Sequence, residues 1–240
     1  MISRLLLAIL PVVAANAAWA GPPFVTDDPE PTDFGHYEIY AFAQGVDTRE
    51  GSAGIDFNYG AAPDLQLTAV LPVAYESPTH GAVVAGIGNI ELAAKYRVLH
   101  QDDFGWDVAL FPRVFLPSLS APVGEKHFSL LLPVWVGRDF GAWSTFGGGG
   151  CVIDRSGGSQ DYCLAGWALT REIVPNLHLG AEIVHQTADS KGGRASTGIG
   201  GGVIYDLDAH CHLLAYAGPG LQDAAQTGRA TWYSSILFTF

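Results

Sequence analysis

Apolar and polar residues alternate with a period of two along most of this chain. In 127–137, Phe128, Leu130, Leu132, Val134 and Val136 share one parity, and His127, Ser129, Leu131, Pro133, Trp135 and Gly137 the other. In 89–98, Ile90, Leu92, Ala94, Tyr96 and Val98 oppose Asn89, Glu91, Ala93, Lys95 and Arg97. In 65–73, Leu65, Leu67, Ala69, Leu71 and Val73 oppose Gln66, Thr68, Val70 and Pro72. The last nine residues alternate as strictly, with Trp232, Ser234, Ile236, Phe238 and Phe240 on one side and Tyr233, Ser235, Leu237 and Thr239 on the other. This is the repeat of a β-strand, whose successive side chains point to opposite faces. Two stretches alternate poorly: 143–150 ends in four glycines, and 161–173 can be read either way.

Turn residues divide the pattern into twelve expected strands, near 34–46, 54–60, 65–75, 86–99, 106–117, 127–138, 143–153, 161–173, 177–187, 196–205, 210–218 and 228–240. All but the short second one approach the roughly 9–11 residues of a tilted membrane-spanning strand. Tight turns are expected at 61–64, 101–103, 139–141, 174–176 and 206–208. Longer loops are expected around 47–53, 76–85, 118–126, 154–160, 188–195 and 219–227. Short turns alternating with long loops, on an even strand count, is the layout of an outer-membrane barrel.

The N-terminus bears on compartment. Arg4 precedes an apolar run, Leu5 to Ala15, and Ala18-Trp19-Ala20 reads as an A-x-A cleavage site before Gly21. That core is too short for a spanning helix, so residues 1–20 read as an export signal. Its removal leaves 11 basic and 24 acidic residues, a mature charge of −13 with His neutral. No later segment holds 18 uninterrupted apolar residues, so a helical membrane protein is excluded. The acidic balance argues against nucleic acid, which calls for clustered Lys and Arg. Thirty glycines and few charges suit a turn-punctuated all-β chain.

The expected fold is therefore all-β: a transmembrane antiparallel up-and-down β-barrel of about twelve strands, residues 34–240. The final strand, ending on Phe240, resembles the closing strand of Gram-negative outer-membrane barrels. In that class the terminal Phe is an assembly signal, which implies the barrel-assembly machinery and outer-membrane lipid as partners. Lipid disfavours charge, so the apolar parity faces out and the polar parity faces the lumen. This gives lumen candidates His36, Glu38, Asp56, Asn58, Glu91, Lys95, Arg97, Asp107, Arg113, His178 and Glu182. The rings Tyr40, Phe42, Phe111 and Trp135 join them as candidates for binding a flat apolar solute.

Three stretches carry a more specific likeness: Pro23-Phe-Val-Thr-Asp-Asp-Pro29; Gly54-Ile-Asp-Phe-Asn-Tyr-Gly60 with Asp64-Leu-Gln-Leu67; and Gly86-Ile-Gly-Asn-Ile-Glu-Leu-Ala-Ala-Lys-Tyr-Arg97. They are similar to a family of outer-membrane barrels described as meta-pathway phenol degradation proteins, also called transporters. The resemblance covers most of the mature chain. It implies about twelve strands and movement of small, aromatic or hydrophobic solutes; it carries over no catalytic residues, and no cofactor is expected. The chain departs from it at Asn89, where an Asp is common, and in its pair of cysteines.

Other features have competing readings. Cys151 and Cys163 lie symmetrically about Gly157, so antiparallel strands joined there bring them within disulfide reach in an oxidising compartment. Cys211 sits in His210-Cys-His212 beside Asp206 and Asp208; a metal site there lacks further ligands, and a polar rim is the simpler reading. Glu125-Lys-His127-Phe-Ser129 contains the His-x-Ser spacing of outer-membrane lipid hydrolases, which would let His127 activate Ser129. Its inward parity and Leu130 in place of the usual Asn argue against that. The glycine runs 147–150 and 200–202 are read as positions where side chains would crowd the lumen, or as room for a solute. Residues 21–33, with four prolines and four carboxylates, form either a periplasmic arm or a lumen plug whose Phe24 or acids meet Lys95, Arg97 or Arg113. Function divides among a channel or transporter for small solutes, a closed structural or surface-interaction barrel, and, less favoured, an enzyme. The sequence does not fix the solute or the oligomeric state.

Overall fold

The computed structural model describes residues 23–77, 82–117, 123, 127–155 and 158–240. The expected export signal, its cleavage site, Glu125, Lys126 and Gly157 lie outside the described residues. Twelve strands form one antiparallel sheet: β1 (Tyr37–Val46), β2 (Glu50–Ala62), β3 (Leu65–Glu76), β4 (Val84–Ile87 and Ile90–Leu99), β5 (Asp107–Leu110 and Arg113–Leu116), β6 (Ser129–Phe140), β7 (Trp143–Asp154), β8 (Tyr162–Val174), β9 (Leu177–Gln186), β10 (Ser196–Asp206), β11 (Cys211–Gln222) and β12 (Ala230–Thr239). Each pairs with the next, and β1 pairs with β12 from Glu38↔Thr239 to Val46↔Thr231, so the sheet closes on itself. Tyr37 and Phe240 exchange two backbone hydrogen bonds of 3.0 Å at the seam.

Closure leaves no unpaired edge, the condition for a sheet to sit in hydrocarbon. The outward face is apolar, with exposed Leu67, Leu71, Val73, Leu92, Leu132, Val134, Ile183 and Ile236. The inward parity carries Tyr40, Asn58, Gln66, Lys95, Phe111, Trp135, His178 and Glu182, all buried. A small core of Tyr40, Ile204, Leu214 and Leu237 fills the short-turn end of the lumen between β10 and β1. Rings gather outside that same end, where Tyr37 stacks on Tyr59 at 4.7 Å and Arg171 lies 4.9 Å over Trp143.

The tight turns follow from residues that tolerate a left-handed backbone. Asp64 (φ 61°) turns β2 into β3, and Asn176 (φ 71°) turns β8 into β9. Between β4 and β5 the turn is a single helical one, α1 (Gln101–Phe104), whose Gln101 N–H donates to the Asp107 carboxylate at 2.9 Å.

Several boundaries differ from the sequence expectation. Strand β2 is full length, because the loop expected at 47–53 is only a turn, Asp47–Arg49. The Asp47 carboxylate accepts the Arg229 and Ala230 N–H groups at 3.0 and 2.9 Å, and this frees residues 50–53 to pair with β1. Strand β11 likewise runs on to Gln222, followed by the helical turn α2 (Ala224–Thr227). Strand β1 begins at Tyr37 rather than 34, since Phe34 bridges to Gly60 instead. Strands β4 and β5 are each interrupted, at Gly88–Asn89 and at Phe111–Pro112. Proline contributes no ladder N–H, and Pro72, Pro112 and Pro133 lie on neighbouring strands of this sector. Their carbonyls still accept from Gly88, Ala94 and Phe111, which keeps the wall continuous.

Candidate functional site: a half-filled lumen

Residues 23–33 run inside the barrel, where a proline-rich segment that cannot join the ladder must find other partners for its backbone. The Glu182 carboxylate accepts two of its N–H groups, from Val25 at 3.1 Å and Thr26 at 3.0 Å. Gln66 accepts the Thr32 N–H at 2.8 Å and is itself held by Asn58 and Thr68. Lys95, with only 4% of its side chain exposed, donates to Asp27 at 3.0 Å, Asp28 at 3.3 Å and the Glu30 carbonyl at 3.2 Å. Arg113 lies 3.0 Å from Glu91 and 3.8 Å from Asp27. Nearer the short-turn end, Arg97 reaches Asp64 at 3.0 Å, Asp107 at 3.8 Å and Glu30 at 4.0 Å. Burial pushes the Asp28 carboxyl up to about 6 although Lys95 pulls it down.

The apolar end of the segment uses the opposite wall. Phe24 sits 6.0 Å from the Phe146 ring and edge-on to Tyr216 at 5.7 Å. The strands beneath it are shaved to glycine. A Cβ on Gly202 would stand 2.6 Å from Phe24, one on Gly180 2.8 Å from Phe24, and one on Gly137 2.7 Å from Pro29. A Cβ on Gly166 would collide with the Thr26 hydroxyl. These four glycines make the bed of the leader, and at Gly202 the expectation that a side chain would crowd the lumen holds.

On the other side the lumen is open. A cavity of about 540 Å³ runs from the long-loop rim, at Val46, Glu50 and Trp232, down to Asp27 and Gln66. Glu38, Tyr40, Phe42, Asp56, Asn58, Glu91, Lys95, Phe111 and Arg113 all line it. The remaining sequence candidates lie elsewhere. Glu182 holds the leader; Arg97 and Asp107 stand together at the short-turn mouth. Trp135 faces inward but is buried against Gly148. His36 shares the inward parity, precedes β1 and is exposed at the short-turn rim.

The sequence reading passed over Gln66, Tyr216 and Tyr233 as lining residues, and the isolated glycines 137, 166 and 180. Those glycines are spaced on the inward parity of β6, β8 and β9, which was the available signal. His178 and His212 stand 3.9 and 2.6 Å from Asp206 at the short-turn end. Among the described residues no group of three or more His, Cys, Asp or Glu could hold a metal. His127 is exposed ahead of β6 whereas Ser129 is buried, and no hydrogen bond joins them. Cys151 and Cys163 face each other on β7 and β8 and form a disulfide.

No protein-family model matches the sequence, and no curated relative does. Solved structures match the fold. An outer membrane channel from Pseudomonas putida F1 superposes with a TM-score of 0.70 at 13% identity, covering 89% of this chain and 98% of its own. The NanC porin gives 0.55 at 8% identity, over 84% and 98%. The translocator domain of the autotransporter NalP from Neisseria meningitidis gives 0.51 at 13%, over 87% and 90%. The fold is that of outer-membrane β-barrels.

Proposed function

We propose that this protein is an outer-membrane channel for small solutes, aromatic or hydrophobic ones among them, whose conductance is set by residues 21–33 acting as a lumen plug. On this reading residues 1–20 export the chain and are removed, and the barrel-assembly machinery inserts it. The observation that carries the proposal is the unequal lumen: a cavity lined by side chains reaches from the long-loop rim to a leader that fills the other half. A twelve-stranded barrel is wider than its own side chains can fill, so what occupies the remainder decides passage. The matching channel and porin folds support the same reading. Tyr40, Phe42, Phe111 and Tyr233 along the cavity supply apolar surface for a flat solute.

A closed structural barrel is favoured by one observation, the complete pairing of Lys95 and Arg113 with acids. Planar-bilayer conductance of the refolded protein, with and without residues 21–33, separates the two. Discrete steps that grow in size or frequency on deletion are expected. A barrel that shows heat-modifiable gel mobility yet stays silent in both forms would leave the structural reading standing.

A further inference from the structure

We propose that the open half of the lumen binds small organic cations: a positively charged nitrogen carried on an aromatic or apolar body. This rests on the channel reading and narrows its solute class.

The cavity is lined by six carboxylates, Asp27, Glu30, Glu38, Glu50, Asp56 and Glu91, and two cations, Lys95 and Arg113. Both cations are already engaged, Lys95 by Asp27 and Asp28 and Arg113 by Glu91 and Asp27. Glu38 and Asp56 have no cation within 4.0 Å among the described residues. Their partners are neutral: the Tyr40 hydroxyl donates to Glu38 at 3.2 Å, and the Asn58 amide donates to Asp56 at 3.0 Å. The two acids come from adjacent strands, since Glu38 pairs with Asn58 and Tyr40 with Asp56 in the β1–β2 register. A carboxylate at least half-buried with no cation in contact either takes up a proton or recruits a cation, and the cavity beside it is where a cation would come from.

The same wall supplies ring faces. Phe42 and Tyr233 stack at 6.5 Å with 9° between their planes, and both line the cavity. Rings beside carboxylates make the environment that organic cations prefer, because the face of a ring is electronegative. The barrel already uses that chemistry on its own groups: Lys95 Nζ lies 5.0 Å and the Arg113 guanidinium 4.5 Å from the Phe111 ring centre. The wall formed by β4 and β5 has thus satisfied its cations internally. The facing wall, β1, β2 and β12, presents acids and rings with no cation of its own. A cavity of about 540 Å³ holds a single-ring compound. Net negative charge in a narrow space of low dielectric repels an anion of the same size.

Isothermal titration calorimetry on the refolded full-length barrel, with benzyltrimethylammonium and benzoate as probes, tests this. Saturable binding of the cation, at least tenfold tighter than benzoate, is expected, with a tenfold or greater loss in the isosteric Glu38→Gln/Asp56→Asn double variant. Benzoate binding as well as the cation would overturn the inference, and that comparison needs no variant to fold. So would undiminished cation binding in a double variant that keeps its heat-modifiable mobility. Conductance without cation preference would sink the ligand class alone. Cation binding in a barrel that never conducts would sink the channel reading alone.

Discussion

The two halves of the lumen solve one packing problem by opposite means. On β1 to β5, long polar and aromatic side chains project inward and hold one another in hydrogen bonds and ion pairs, leaving a cavity between them. On β6 to β10, inward positions are reduced to glycine at 137, 166, 180 and 202, and a separate stretch of backbone fills the space. The first half is fixed by its own strands. The second is fixed by a removable insert, so perturbations of the two should differ in kind.

The largest effect is expected where the insert is tied across to the side-chain half. Lys95→Met leaves Asp28 without its cation and Asp27 with only the longer contact to Arg113, which costs on the order of 3 kcal/mol when a buried pair loses one partner. Protease protection of the leader should fall more than a hundredfold while the barrel keeps its gel mobility. Next is the staple at the long-loop end of the glycine half. Replacing both Cys151 and Cys163 by Ser should lower barrel stability by about 2–3 kcal/mol in denaturant titration, with leader protection unchanged.

A wedge in the bed should act more weakly and only on the insert. Gly202→Val meets Phe24 and should cost about 1–3 kcal/mol of leader docking, read as more frequent channel openings. Gly201→Val, on the outward parity, should leave openings at the level of the parent. The smallest effect is pH dependence. Asp28 is held above the ordinary carboxylate range in the docked state, so docking is favoured with the proton on and loses stability as pH rises through about 6. Openings should increase modestly between pH 5 and pH 8, and Asp28→Asn should make that profile shallower, leaving the part carried by Glu30, which desolvation raises to about 7.

Much of the barrel was legible because a period-two pattern reports which face a residue takes. The same pattern cannot report where around the circumference a residue sits. Tyr40 and Trp135 share the inward parity, yet one lines the cavity and the other is buried against Gly148. Strand ends were misjudged where a distant group decides them: the Asp47 turn depends on N–H groups some 180 positions away. The path of the leader was only one of two open readings, since Asp27 finds Lys95 across 68 positions and no local rule specifies that. An isolated glycine marks only the absence of a side chain, and what fills the vacated space had to come from elsewhere in the chain.

The prolines of the leader acquire a meaning once its course is known. A chain crossing the interior of a barrel brings one amide donor per residue into a place short of water, and each donor left over penalises the crossing. Pro23, Pro29 and Pro31 bring none. Of the donors that remain, those of Val25 and Thr26 go to Glu182, that of Thr32 to Gln66, and those of Asp28 and Glu30 to neighbouring carboxylates. A segment that looks unstructured because it is rich in proline is, on this accounting, one thinned of donors so that fewer call on the lumen or on its own carboxylates.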